Sequence, residues 1–252
     1  MTGTPSERAF FDDRAADYDR LRPAGETWQG RLDALVRVGD LRGQRVLDVG
    51  CGTGAVAAAL AEHAAAKVWG VEPSAEMLAV ARARVPPGVG LKRGVAEKLP
   101  FRDGWFDRVL FSLSIHLVDR PAALAESARV LVTGGRVVIA TFSHAHFDRH
   151  WAARFFPSLP AVDRARFPTE EALRAELEAA GYDRIHAEAL AAVEQVDRTT
   201  ALERLHGRHI STFALLDPAE VERGIARAEA ELEETVVVEL DQLVVTAVLE
   251  RR

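Results

Sequence analysis

The phrase Asp48-Val49-Gly50-Cys51-Gly52-Thr53-Gly54 sets three glycines two apart, after the apolar run Arg45–Val49 and before the alanine-rich stretch Ala55–His63. Glycines between a strand and a helix allow a sharp turn and close backbone approach to a ligand. The free N–H groups of the helix start then favour an anion. A phosphate meets that description, as does an amino-acid carboxylate, and a plain tight turn would use the same residues. The dinucleotide fingerprint places its third glycine three residues after the second, whereas Gly54 follows Gly52 by two, and the P-loop Lys-Ser/Thr pair is missing. Glu72 lies 22 residues after Gly50, at the end of the next apolar run. A carboxylate there accepts hydrogen bonds from ribose hydroxyls. Nicotinamide enzymes share that feature, so Glu72 points to a nucleoside without choosing which.

The elements that position these residues alternate. Amphipathic helices are expected before residue 40, with Phe10, Phe11, Arg14, Tyr18 and Leu21 on one face and a stop at Arg22-Pro23. A second such stretch carries Trp28, Leu32, Leu35 and Val36. Strands follow at Arg45–Val49, Lys67–Glu72, Val89–Gly94, Phe106–Ser112 and Arg136–Phe142. Between them lie helices that Pro73-Ser74 and Pro121 can start. Such alternation implies right-handed crossovers and a mainly parallel sheet. His144–Pro168 reads as an irregular aromatic cover, Thr169–Ala180 as a capped helix and Arg184–Leu190 as a strand. A helical insertion over roughly Asp197–Glu234, with a start at Asp217-Pro218, precedes a closing strand within Val236–Leu249.

Taken in order, several phrases resemble the motifs of class I S-adenosylmethionine-dependent methyltransferases, and more narrowly the type 11, ubiquinone/menaquinone-biosynthesis-like group. They are Asp48–Gly54, Glu72-Pro73-Ser74, Gly94–Phe101, Phe106-Asp107-Arg108-Val109, Ser112–His116 and Arg129-Val130-Leu131 with Gly134-Gly135. Phe11–Asp19 with Arg22-Pro23 is similar to the group's N-terminal helix. The match is strong over about residues 8–142 and loose over 168–190.

The resemblance implies one doubly wound, Rossmann-like α/β domain over residues 1–252. Its seven-stranded sheet would run 3-2-1-4-5-7-6 with the last strand antiparallel. Residues 1–40 would form a helical cap, and 143–168 and 191–234 cover insertions. It implies S-adenosyl-L-methionine as cofactor, with Gly50, Gly52 and Gly54 around the methionine end and Cys51 among them. Asp48 would organise that loop, through water to the amino group. Glu72 would hold the ribose diol, Pro73 and Met77 the adenine face, and Ala96 and Glu97 the adenine edge. Ser112 and Leu113 would run along the methionine chain, with Tyr18 and Arg22 closing the pocket. Val95 stands where many relatives carry the aspartate that meets the adenine amino group. His116 is the candidate general base for an oxygen, nitrogen or carbon nucleophile, with pocket packing as its other role.

Two other functions compete. His144-Ala145-His146-Phe147-Asp148-Arg149-His150 is similar to the His-x-His-x-Asp-His signature of metallo-β-lactamase-fold hydrolases, and clustered neutral imidazoles suit zinc. Arg149 spoils the spacing, so no metal is expected. A non-catalytic protein that only binds the nucleoside cofactor is the third class.

Composition narrows the acceptor. The net charge is −6 and only three of the 32 basic residues are lysines, so DNA is not an expected partner. tRNA and protein acceptors stay open, as does the oligomeric state, and a small molecule is favoured. The lone cysteine, Cys51, excludes an internal disulfide and a Cys-based zinc cluster. With no basic neighbour in sequence it reads as a packing residue. Met1–Phe10 lacks a basic segment followed by an apolar run, and no stretch is apolar enough to span a bilayer. The expected address is the cytoplasm. The aromatic cover residues Phe147, Trp151, Phe155, Phe156 and Phe167 suggest an apolar or aromatic acceptor, or simply core.

Overall fold

The computed structural model describes residues 5–21 and 26–250. Seven strands form one sheet in the order β3-β2-β1-β4-β5-β7-β6. They are β1 (Arg45–Val49), β2 (Lys67–Glu72), β3 (Gly90–Arg93), β4 (Phe106–Ser112), β5 (Leu131–Phe142), β6 (Tyr182–Asp197) and β7 (Thr235–Leu249). The first five run parallel, and β7 runs antiparallel to both β5 and β6. The helices are α1 (Pro5–Arg14), α2 (Glu26–Gly39), α3 (Ala55–His63), α4 (Ala75–Arg84), α5 (Arg120–Val130), α6 (His144–Arg149), α7 (Leu159–Arg166), α8 (Glu170–Ala179), α9 (Arg198–His206) and α10 (Pro218–Glu231).

Period-two alternation sends neighbouring strand residues to opposite faces. Val46, Val138 and Val244 pack with Leu35 of α2 and Leu60 of α3. Leu47, Val137 and Ile139 pack on the other face with Leu124 of α5 and Leu173 and Leu177 of α8. Ser74, Asp119, Thr169 and Asp217 cap their helices by accepting backbone N–H bonds. The strands therefore all present their carboxyl ends, from β3 to β5, at one edge of the sheet.

Four expectations need correction. The helix expected through Leu21 ends at Arg14, and residues 15–21 continue as turns. Asp19 is drawn to Thr53 Oγ1 (2.9 Å) and Arg84 (2.5 Å), contacts that a continued helix does not serve. The stretch read as irregular, His144–Pro168, holds α6, α7 and a 3-10 turn at Trp151–Arg154. Its prolines sit beside the helices or, like Pro160, in the first turn, where the missing N–H has no cost. Strand β6 runs on to Asp197, so the second insertion is helical only from Arg198. Strand β5 begins at Leu131, and Gly134-Gly135 lies inside a register irregularity opposite Phe106–Arg108.

The helical cover has its own core. Phe155 and Phe156 are buried with Phe213, Val196, Val236 and Val238 at the tip of the β6–β7 hairpin. These two rings are therefore core and not lining, while Phe147 and Phe167 face a cavity. Among the described residues no helix is long and apolar enough to cross a membrane.

Candidate active site

A cavity of about 670 Å³ opens along the carboxyl ends of the parallel strands, below the cover. It crosses the sheet from β2, past β1 and β4, to β5. Three strand spacings of about 4.8 Å make that span roughly 14 Å.

At the β1 end the backbone of the glycine turn forms the wall. Gly50 has φ +73° and Gly52 φ +54°, a left-handed conformation that only glycine adopts without strain. A Cβ on Gly50 would stand 2.7 Å from the Ser114 Cβ. At Gly52 nothing lies within 4 Å, leaving a cradle for a ligand. Gly54 has another task. It packs against Ala81 of α4 and Val85 just after that helix and does not face the cavity. Cys51 lines the wall, with its thiol pushed up by burial and then by Asp48 and Glu72, so it is no nucleophile.

Asp48 lies behind this turn, 1% exposed, and neither carboxylate oxygen has a partner among the described residues. Burial, and secondarily Glu72, pushes its pKa up to about 7. Glu72 is differently held. Its two oxygens accept the backbone N–H of Gly52 and of Ser74, each at 3.0 Å, so the side chain ties the glycine turn to the start of α4. Burial raises its pKa, and the two N–H donors oppose the rise.

Pro73, Met77, Ala96 and Glu97 line the cavity beside Glu72. The Glu97 carboxylate accepts the Asp119 N–H at 2.9 Å, so it braces the loop before α5. Arg129 and Glu126 of α5 hold Leu99 and Phe101 by their backbone and thereby fix the Gly94–Phe101 loop. Ser112 and Leu113 end β4. Leu113 has φ +56°, strained for a leucine, and its N–H donates to Ala140 O at 2.9 Å. The Ser114 hydroxyl donates to Val49 O at 2.6 Å and pins β4 to β1.

Tyr18 also lines the cavity, and Arg22 lies outside the described residues. Sequence reading missed the clasp around Tyr18. Arg84 donates to Thr53 Oγ1 (2.9 Å), Thr53 to Asp19, and Asp19 pairs with Arg84, so the N-terminal segment is tied across the glycine turn.

The β5 end is aromatic. His116 stacks on Phe167 (centroids 3.8 Å apart), and His146 on Phe142 (4.2 Å). Burial holds His116 well below the usual imidazole range, with Arg166 adding to it, and lowers His146 to about 4. Both Nδ1 atoms are buried without a partner among the described residues. Asp163, Arg166, Ser211 and Thr212 form a buried polar group on the cover, joined by Thr212 to Asp163 at 2.6 Å and Arg166 to Ser211 at 2.9 Å.

The clustered histidines do not converge. His144 Nε2 lies 2.9 Å from Phe167 O, His146 lies flat on Phe142, and His150 Nδ1 accepts the Ala152 N–H. Asp148 pairs with Arg164. Among the described residues no three His, Cys, Asp or Glu side chains are set to hold a metal. We expect elemental analysis of the purified protein to find no stoichiometric zinc. Zinc lost in His146→Ala would reverse this conclusion.

Comparisons with known proteins agree with this geometry. A family model described as a methyltransferase domain matches residues 47–139. A demethylmenaquinone methyltransferase of Streptomyces avermitilis is 32% identical over 200 residues, covering 70% of this chain and 86% of that protein. One of Renibacterium salmoninarum is 40% identical over 143 residues, or 55% of this chain, which spans 60% of that relative's length. In the solved structures, a phosphoethanolamine N-methyltransferase 2 of Haemonchus contortus in complex with S-adenosyl-L-methionine has the same fold. Its TM-score is 0.63 at 22% identity, covering 99% of this chain and 61% of that one. The chain belongs to the class I S-adenosylmethionine-dependent methyltransferases, in the type 11, ubiquinone/menaquinone-biosynthesis-like group.

Proposed function

We propose that this chain transfers a methyl group from S-adenosylmethionine to a small, largely apolar or aromatic acceptor. The observation that carries the proposal is the single cavity joining Glu72 at β2 to the His116–Phe167 wall beyond β4. The residues present suit the cofactor. Gly52 leaves an open cradle, Glu72 keeps lone pairs for a ribose diol, and the unpartnered Asp48 carboxylate favours a nearby ammonium. The start of α3, capped by no side chain at Gly54, suits a carboxylate. Pro73, Met77 and the backbone of Ala96 would flank the adenine, with Glu97 committed to Asp119 and Val95 adding only apolar surface.

Bound there, the cofactor would supply an electrophilic methyl to an electron-rich atom of the acceptor, with S-adenosylhomocysteine as the leaving group. The chain's part is orientation and water exclusion. In this proposal His116, neutral at pH 7 and lining the cavity after β4, takes a proton from the acceptor. The N-terminal cap and the two inserts belong, in this proposal, to the same catalytic unit. An acceptor such as the demethylmenaquinone named for the two relatives is a candidate, and the aromatic wall supports that class.

The test is thermal unfolding with added nucleotide. S-adenosylhomocysteine at a hundredfold excess over its Kd stabilises by about 2.7 kcal/mol, a Tm rise of about 5–10 °C for a chain of this size. NAD and NADP should leave Tm unchanged. A rise with NAD alone would place the chain among nicotinamide enzymes.

A further inference from the structure

The cover half of the cavity contains one polar edge whose hydrogen-bonding sense is fixed by the backbone. His150 sits where α6 gives way to the 3-10 turn Trp151–Arg154, and it lines the cavity beside Phe142, His146 and Phe147. Its Nδ1 accepts the Ala152 N–H at 3.2 Å. A neutral imidazole has one donor and one acceptor nitrogen, so the proton of this ring is on Nε2. Burial, and then His146, lowers the His150 pKa to about 3, and the ring stays neutral across the physiological range. His146 meets it edge to face at 5.4 Å.

The surroundings select the ligand's body and charge. Phe142 and Phe167 lie 6.1 Å apart and Phe147 and Phe167 5.0 Å, which makes a wall suited to a flat apolar ring. Two guanidiniums of the cover are already engaged, Arg149 by Asp241 and Glu239 and Arg166 by Asp163, Ser211 and Thr212. An anionic head group would therefore compete with existing ion pairs. A neutral ring with an oxygen on its rim would not.

On the methyl-transfer reading above, we propose that His150 determines acceptor specificity by donating its Nε2–H to a carbonyl or hydroxyl oxygen on a planar aromatic acceptor. The donor is fixed in direction because the Ala152 N–H holds the tautomer and the ring together. The half-buried donor is open to the cavity; a ligand that covers it without offering an oxygen strips its water and leaves it unpaired, which is how a polar group in an apolar pocket discriminates.

Two substitutions separate recognition from a structural cap. In His150→Asn the side-chain oxygen can stand where Nδ1 stands and keep the Ala152 contact, but nothing reaches as far as Nε2. In His150→Gln the amide N–H reaches the Nε2 position, and the cap is lost. Each protein is first titrated with S-adenosylhomocysteine, and failure of that ligand to bind wild type counts against the methyl-transfer proposal itself. The saturated proteins are then dialysed to equilibrium against 1-tetralone and against tetralin, the same ring system without the oxygen. Wild type should prefer 1-tetralone by about tenfold, as expected for one hydrogen bond to a donor that the bound ring shuts off from water. His150→Asn should erase the preference, and His150→Gln should retain it. Any other pattern overturns the proposal, including no binding of either ring to wild type or a preference that survives in His150→Asn.

Discussion

Replacing Glu72 by alanine should weaken binding of S-adenosylhomocysteine about a hundredfold, since two charge-assisted bonds to a ribose diol are worth about 1.5–3 kcal/mol each. A loss below tenfold in isothermal titration would mean the ribose is held elsewhere. The unliganded protein should suffer as well. Both Glu72 oxygens accept backbone N–H bonds, from Gly52 and from Ser74, so the side chain is also the brace between the glycine turn and α4. Leaving those donors without an acceptor costs about 1–3 kcal/mol, readable as a lower urea midpoint. Unchanged stability with lost affinity would assign Glu72 to the ligand alone.

Asp48→Asn should do the reverse to stability. The folded-state pKa of Asp48, about 7, lies above the unfolded value near 3.9. Between those values the native protein holds a proton that the unfolded chain has lost, so this group's contribution to stability falls as pH rises from about 4 to 7. Above pH 7 the carboxylate is charged, buried and unpartnered, a penalty of up to about 4 kcal/mol. The buried imidazoles of His146 and His150 contribute with the opposite sign below about pH 6.5, because their pKa values are lowered. The informative quantity is therefore the difference between wild type and variant in denaturant melts. Asp48→Asn should be the more stable protein at pH 8, with the advantage vanishing toward pH 4. Affinity should move the other way, falling about tenfold at pH 8 as the buried charge behind the glycine turn, which favours a nearby ammonium, is lost, with little change at pH 5.5. A pH-independent stability difference would show that Asp48 is ionised throughout.

Local chemistry made much of this legible in the sequence. Strands β1, β2 and β4 and helix α3 lie where the apolar runs and the glycine turn place them, Ser74, Thr169 and Asp217 cap their helices, and Pro121 stands in the first turn of α5. The misreadings came from contacts that leave no local signal. Strand β6 is an edge strand with much of its length half-exposed, so Glu188, Glu194 and Gln195 interrupt the apolar pattern without ending the pairing to β7. Helices α6 and α7 hid among prolines that flank them or open them. The clasp of Asp19, Thr53 and Arg84 joins residues 31 to 65 positions apart, beyond any motif's reach. Gly54 looked like a third ligand glycine because the repeat is regular, yet its neighbours are Ala81 and Val85. Phe155 and Phe156 could be told from Phe147 and Phe167 only once the hairpin tip was placed against them.

The central claim is that one cavity carries the nucleoside at β2 and the acceptor beyond β4. A crystal structure of the S-adenosylhomocysteine complex measures this most directly. The ribose hydroxyls should lie within hydrogen-bond distance of the Glu72 carboxylate, and the sulfur should lie beside Ser112 and Leu113, facing the His116–Phe167 stack. A ribose bound away from Glu72, or a sulfur turned away from His116, would contradict it.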